Sequence, residues 1–114
     1  MGGSGSAAQS PLWRVSFRLD IRLDALADIE TAADWYEGQQ PGLGADFTRT
    51  VRHAINALPE NPLIYRLRNR SRNIRWFLPP RFPYRIAYRL QDDLITVFAV
   101  IHTAMHDRHL QRRV

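Results

Sequence analysis

Two runs of residues, Arg81–Arg89 and Leu94–His102, constrain this chain more than any other part of it. In the first, arginines alternate with aromatic and aliphatic side chains, the period-two pattern of a strand with one wet face. The second is almost wholly apolar and ends on a histidine, as suits a strand covered on both faces. The break between them, at Gln91, Asp92 and Asp93, is short enough for a hairpin. A basic surface is therefore expected on the centre of a sheet, built to grip an anionic or acidic partner.

The rest of the sequence supplies what such a hairpin needs. Trp13, Val15, Phe17, Leu19 and Ile21 alternate with Arg14, Ser16, Arg18, Asp20 and Arg22, which predicts a first strand with a single core face. Asp24 is placed to cap a helix in which Leu26, Ile29, Ala33 and Tyr36 recur at steps of three and four, with Asp28, Glu30, Asp34 and Glu37 assigned to its other surface. Gly38 and the segment 39–44 interrupt it. A second helix then carries Leu43, Phe47, Val51, Ala54, Ile55 and Leu58 on one face and stops before Pro59 and Pro62. Two amphipathic helices with so short a link form an antiparallel hairpin whose apolar stripes must lie on the sheet.

From Tyr65 the chain turns basic. Arg66, Arg68, Arg70 and Arg72 fall at alternate positions, so in extended backbone their guanidinium groups point one way. Residues 74–78 read as a short strand and Pro79–Pro80 as a break before the hairpin. Residues 103–114 are polar and read either as a short helix or as disordered. The order is β-α-α-β-β-β, and this segregation of helices from strands defines an α+β domain. Residues 1–10, rich in Gly, Ser and Ala, form a tail outside the fold, and 11–114 form one domain.

Composition narrows the chemistry. All 16 basic residues are arginine, the formal net charge is +5, and cysteine is absent, so no disulfide or thiolate site exists. Arginine presents a planar, always-charged fork suited to carboxylates and phosphates. No run approaches the ~18 apolar residues of a membrane span, and the N-terminus lacks the charged start and apolar centre of a secretory signal. A cytoplasmic protein with no membrane partner, small-molecule substrate or cofactor is expected. His102, His106 and His109 stand at i, i+4 and i+7, but His102 is expected to end a strand, so no metal site is assigned.

The pattern resembles the RelE/ParE superfamily of toxins from type II toxin-antitoxin systems, nearest its ParE-like, plasmid-stabilisation branch. The resemblance rests on Ala27, Asp28, Ile29, Glu30, Ala33, Asp34, Trp35 and Tyr36, and on Gln40, Pro41, Gly42, Leu43, Gly44 and Phe47. It continues through residues 57–62 and through Arg81, Phe82, Pro83, Tyr84, Arg85, Ile86 and Tyr88 to the strand ending at His102. It implies a small twisted, mainly antiparallel sheet with a helical hairpin on one face, and a toxin neutralised by a cognate antitoxin. Such toxins arrest growth by one of two routes: ParE-like members poison DNA gyrase, and RelE-like members cut messenger RNA on the ribosome.

Under the nuclease reading, Arg81 and Arg85 would clamp phosphate and His102 would move protons. RelE-like nucleases tend to use lysine and a tyrosine on the terminal helix; this chain has no lysine and no tyrosine after Tyr88. The family's basic pair after the histidine is also missing, leaving only Arg108 nearby. Gyrase poisoning is therefore the favoured expectation. A DNA-binding module comes third, since the strands offer charge but no recognition helix. Arg66, Arg68, Arg70, Arg72, Arg85, Arg89 and Arg108 are the expected contacts to target or antitoxin. Tyr84 and Tyr88 share the parity of Phe82, Ile86 and Leu90 and are expected to face the core, where Trp35 and Trp76 are also expected to pack.

Overall fold

The computed structural model describes residues 16–105 and 108–113. Strand β1 (Arg18–Ile21) leads directly into helix α1 (Leu23–Gln39), which turns back into helix α2 (Leu43–Asn56). A 3₁₀ turn at Leu58–Glu60 precedes β2 (Leu67–Asn69), β3 (Ile74–Phe77), β4 (Tyr84–Gln91), β5 (Leu94–His102) and a short helix α3 (Arg108–Gln111). The expected α+β architecture is present. Among the described residues the sheet has five strands in the order β1-β5-β4-β3-β2, antiparallel throughout except for the parallel β1–β5 pair; the helical hairpin carries the chain from β1 at one edge to β2 at the other.

Within the described residues β1 begins at Arg18, which pairs with Leu94, the first residue of β5, so Ser16 and Phe17 run past the end of their neighbour. Trp13 and Val15 lie outside the described residues. Asp24 is not the helix cap. The strand pairing extends through the Arg22 amide, which donates to the Val97 carbonyl at 2.9 Å, so Arg22 itself occupies the cap position. Asp24 falls in the first turn, where its charge favours the helix N-terminus. The arginine-rich stretch also holds a strand, β2, followed by a turn in which Asn69 Oδ1 accepts from the Arg72 amide and the Ser71 hydroxyl.

The helical hairpin closes through a carboxylate and two glycines. Glu37, in the last turn of α1, accepts hydrogen bonds from the Gly42 amide at 2.9 and 3.1 Å and from the Gly44 amide at 3.0 Å, satisfying otherwise unpaired donors at the start of α2. Gly42 has φ +89°, a left-handed conformation that a Cβ disfavours. Gly44 packs directly against α1.

The main core lies between hairpin and sheet: Ile29, Phe47, Val51 and Ile55 from the helices meet Ile86, Tyr88, Ile95 and Val97. A second cluster on the opposite face joins Ile74, Ala87, Phe98, Ala99 and Ile101 to Leu110 of α3, with Trp76 beside it. β5 is thus covered on both faces, as its composition predicts. The register shift between β4 and β5 makes Phe98 an extra residue on β5: Ala87 faces Ala99, while Tyr88 faces Val97. The bulge lies on β5, so the parity of β4 survives and Tyr84 and Tyr88 both face the main core.

Tyr88 is fully buried and its hydroxyl donates to the Pro62 carbonyl. Desolvation is the main cause that pushes this hydroxyl up to about 12. The folded state therefore holds the proton that an unfolded tyrosine releases near pH ~10. Stability is fully present below that pH and falls as pH rises towards 12, by at most about 1.4 kcal/mol per pH unit for one proton. Burial raises Tyr36 and Tyr84 in the same direction. Urea unfolding at pH 9 and pH 11 should show the decline, and Tyr88→Phe should reduce it; an undiminished decline in the variant would assign it elsewhere.

Candidate functional site

Two surfaces present the residues that the sequence singles out, one on each side of the sheet. The first exists because β5 outruns β1. Beyond Val97 the outer edge of β5 faces α1, where Asp28 accepts from the Val100 amide at 2.9 Å. Arg113 holds both Asp28 oxygens, at 2.5 and 3.1 Å, and also donates to the Phe98 carbonyl at 3.3 Å. The Arg22 guanidinium in turn donates to the Arg113 carbonyl at 2.8 Å, so the segment after α3 is fastened to this edge. This hydrogen bonding with Asp28 is the main cause that raises the Arg113 pKa above its ordinary value.

Above that fastening lies an open apolar groove of ≈ 680 Å³, walled by Ala32, Trp35 and Tyr36 of α1, Pro83 and Tyr84, Val100 and Ile101, and Met105. Trp35 does not pack in the core: it is 59 % exposed on the groove rim, and Met105 is exposed at the opposite wall. The tryptophan is held edge-on against Tyr36, which stacks on Phe47 and meets Phe82, so the rim rests on the main core. His102 closes one end of the groove. It is exposed, lies edge-on to Tyr84 at 5.3 Å between ring centroids, and accepts the Ala104 amide on Nδ1 at 3.0 Å.

The second surface is the face of the sheet turned away from the helical hairpin. Trp76 packs there beneath two guanidinium groups, Arg68 at 4.0 Å and Arg85 at 4.8 Å from the ring centroid. Arg85 also donates to the Thr103 and Met105 carbonyls at 3.3 and 3.2 Å, which braces the turn after β5. Arg72 donates to the Gln111 carbonyl at 3.3 Å, joining the β2–β3 turn to α3. Arg89 keeps the parity of Arg85 on β4, opposite Thr96. Arg66, Arg70 and Arg108 are exposed.

The structure divides the expected catalytic residues instead of assembling them. Arg81 is not on β4 but in the loop before it, at φ +70°, and grips Asp46 of α2 with two hydrogen bonds of 2.9 Å and Thr50 with one of 3.0 Å. The Arg81 hydrogen bond is the main cause that lowers the Asp46 carboxyl below its usual range. Arg85 lies on the α3 side of the sheet, while His102, paired with Tyr84, lies on the hairpin side. By contrast, Arg68 and Arg85 gather on Trp76. Of the three histidines at helical spacing, His106 lies outside the described residues, and no cluster of metal-binding side chains forms among the described ones.

Asp28, Trp35 and Met105 were not marked as site residues by sequence reasoning. A signal was present for the first two. Ala25, Ile29 and Ala32 are the buried residues of α1, and Asp28 and Trp35 fall at i+3 from Ala25 and Ala32. A carboxylate on the buried stripe of a helix is expected to have a partner. Met105 carried no such signal.

Residues 19–106 match the family described as the ParE toxin of type II toxin-antitoxin systems, parDE. Among solved structures, a chain of the chromosomal ParDE toxin-antitoxin system from P. aeruginosa is similar with a TM-score of 0.69, covering 76 % of this chain and 96 % of that chain at 15 % sequence identity. No curated protein matches the sequence.

Proposed function

This chain belongs to the family of ParE toxins of type II toxin-antitoxin systems, and from that premise we propose that a cognate antitoxin neutralises it and that it arrests growth by binding and poisoning DNA gyrase, with no bond-breaking chemistry of its own. The observation that carries the non-catalytic reading is the dispersal of Arg81, Arg85 and His102. General acid-base cleavage of a phosphodiester requires a cationic clamp and a proton-transfer group within hydrogen-bond reach of one scissile phosphate. Here Arg81 is engaged by Asp46 and Thr50, and Arg85 and His102 occupy opposite faces of the sheet. The groove beneath Trp35 and Met105 is the place for an apolar segment of the antitoxin, since large exposed side chains around a concave apolar wall mark a protein-binding surface. No helix among the described residues is long and apolar enough to cross a membrane, in keeping with a toxin acting in the cytoplasm.

The test is a supercoiling and cleavage assay with purified gyrase, run beside induced expression in a bacterium. Inhibited supercoiling, accumulated cleaved DNA and a DNA-damage response are expected, undiminished in His102→Ala. Translation arrest with cuts inside translated messages, abolished in His102→Ala, would replace this reading with the RelE-like endoribonuclease.

A further inference from the structure

The charges of this chain are segregated to a degree that its net charge hides. Residues 23–60, the helical hairpin and its 3₁₀ turn, carry seven carboxylates and only two arginines. Residues 61–114 carry eleven arginines and three aspartates. The fold turns much of this sequence asymmetry into a spatial one: Arg81 and Arg113 pair with Asp46 and Asp28 of the hairpin and Arg75 bonds the Tyr65 carbonyl, while Arg68 of β2 and Arg85 and Arg89 of β4 lie on the face that the hairpin does not cover. Asp24, Glu30 and Asp34 are exposed on α1. Across the sheet, Arg68 and Arg85 flank Trp76, Arg89 continues the row on β4, and Arg72 reaches α3. Arg66 shares the parity of Arg68 on β2, and Arg70 and Arg112 are exposed at the adjoining turn and helix end.

We propose that this arginine face of the sheet binds the phosphate backbone of duplex DNA directly and without sequence preference. The arrangement is two-dimensional. β2 and β4 are two strand spacings apart, roughly 10 Å, and Arg85 and Arg89 are four residues apart along β4, roughly 13 Å. Double-stranded DNA offers about one negative charge per 1.7 Å of axis, so a patch of these dimensions meets many phosphates at once. The exposed guanidinium groups of Arg66, Arg70 and Arg112 can each take two phosphate oxygens through parallel N–H donors, while Arg85 and Arg72, which brace neighbouring carbonyls, add positive charge to the face. An acidic peptide fits this face less well, because it would need an apolar anchor, and Trp76 at the centre is already overlaid by Arg68 and Arg85. Among the described residues no helix of useful length stands out from this face to enter the major groove, α3 being described over Arg108–Gln111; phosphate contact without base readout is what the geometry supplies. The inference does not require gyrase to be the target, although a protein that poisons a DNA-bound enzyme would gain a second hold on the complex.

The experiment is fluorescence anisotropy of the full chain with a 30-base-pair duplex at several salt concentrations, in the absence of gyrase. Binding with a Kd of ~1–100 µM near physiological salt, weakening steeply as salt rises, is expected. Replacing the exposed Arg66, Arg70 and Arg112 with glutamine should weaken binding at least ~10-fold and reduce the salt slope by about 2–3. Arg49→Gln with Arg52→Gln on the hairpin should leave both unchanged. Arg66→Gln alone should reduce the slope by about 1, which provides a check if the triple variant unfolds. The proposal is overturned by absence of binding at 50 mM salt or by a triple variant that folds and binds as before. It is also overturned if polyglutamate displaces the duplex at equal charge, which would mark an acidic protein as the partner, or if single-stranded RNA outcompetes it.

Discussion

Phe47→Ala is expected to lower stability by about 3–5 kcal/mol, the usual loss when a fully buried aromatic ring is removed. The side chain is 0 % exposed, on the inner face of α2. It stacks on Tyr36 at 5.1 Å between ring centroids and meets Phe82 and Tyr84 edge-on, each at 5.0 Å. These rings come from α1, the loop before β4 and β4 itself, so one truncation unsupports three elements. For a domain whose total stability is of the order of 5–15 kcal/mol, the loss is a large share of the whole. Urea unfolding measures it as a fall in midpoint at unchanged slope. Phe47→Leu, which retains most of the volume, should lose much less. A loss below about 1 kcal/mol for alanine would mean that the cluster closes around the void. The effect should extend to function, since Tyr36 and Tyr84 line the groove and lean on Phe47. Antitoxin binding should therefore weaken in this variant before the protein unfolds.

The elements most legible in the sequence were those whose side-chain period is enforced by burial. The parity of β4 placed Tyr84 and Tyr88 in the core and Arg85 and Arg89 opposite them, and it held because the bulge at Phe98 falls on the neighbouring strand. Both helices and their glycine link were legible for the same reason. The rest depended on tertiary partners that no local pattern encodes. The helix cap moved to Arg22 because Val97, far along the chain, accepts its amide. β2 is strand because β3 is beside it, in a stretch whose composition alone reads as a solvated loop. Asp28 looked like one more acid on a wet helix face, yet it pairs with Arg113 and an amide of β5. Residue type marks Arg81 and Arg85 as candidate phosphate clamps, but it could not reveal that one holds Asp46 and the other lies over Trp76. Trp35 shows the converse: its type suggested a packed residue, and its position on the helix put it at the rim of a groove.

Gly44→Ala and Gly38→Ala are expected to shift stability in opposite directions. Both glycines lie in helices, α2 and α1 respectively, where alanine is intrinsically favoured by about 1 kcal/mol. At Gly38 nothing lies within 4 Å of the added Cβ, so that preference should appear as a gain of ~0.5–1 kcal/mol. At Gly44 the Cβ would stand 2.5 Å from the Ala33 carbonyl oxygen and 3.0 Å from Glu37 Cβ and Oε1. The nearest obstacle is backbone, which cannot rotate away, so α1 and α2 must separate. That movement also draws Glu37 from the Gly42 and Gly44 amides it satisfies, leaving helix N-terminal donors without their carboxylate. Overpacking of this kind costs about 1–3 kcal/mol and the lost capping about 1 more, so a net loss of ~1–3 kcal/mol remains after the helix preference is subtracted. Thermal unfolding should show the two melting temperatures moving apart, by several degrees per kcal/mol in a domain of this size. If Gly44→Ala were stabilising as well, the close approach of the helices at that turn would be refuted. The consequence for binding follows from the same geometry: Ala33 and Glu37 bracket Trp35 and Tyr36, so a hairpin forced open at Gly44 displaces the wall on which the antitoxin is proposed to rest.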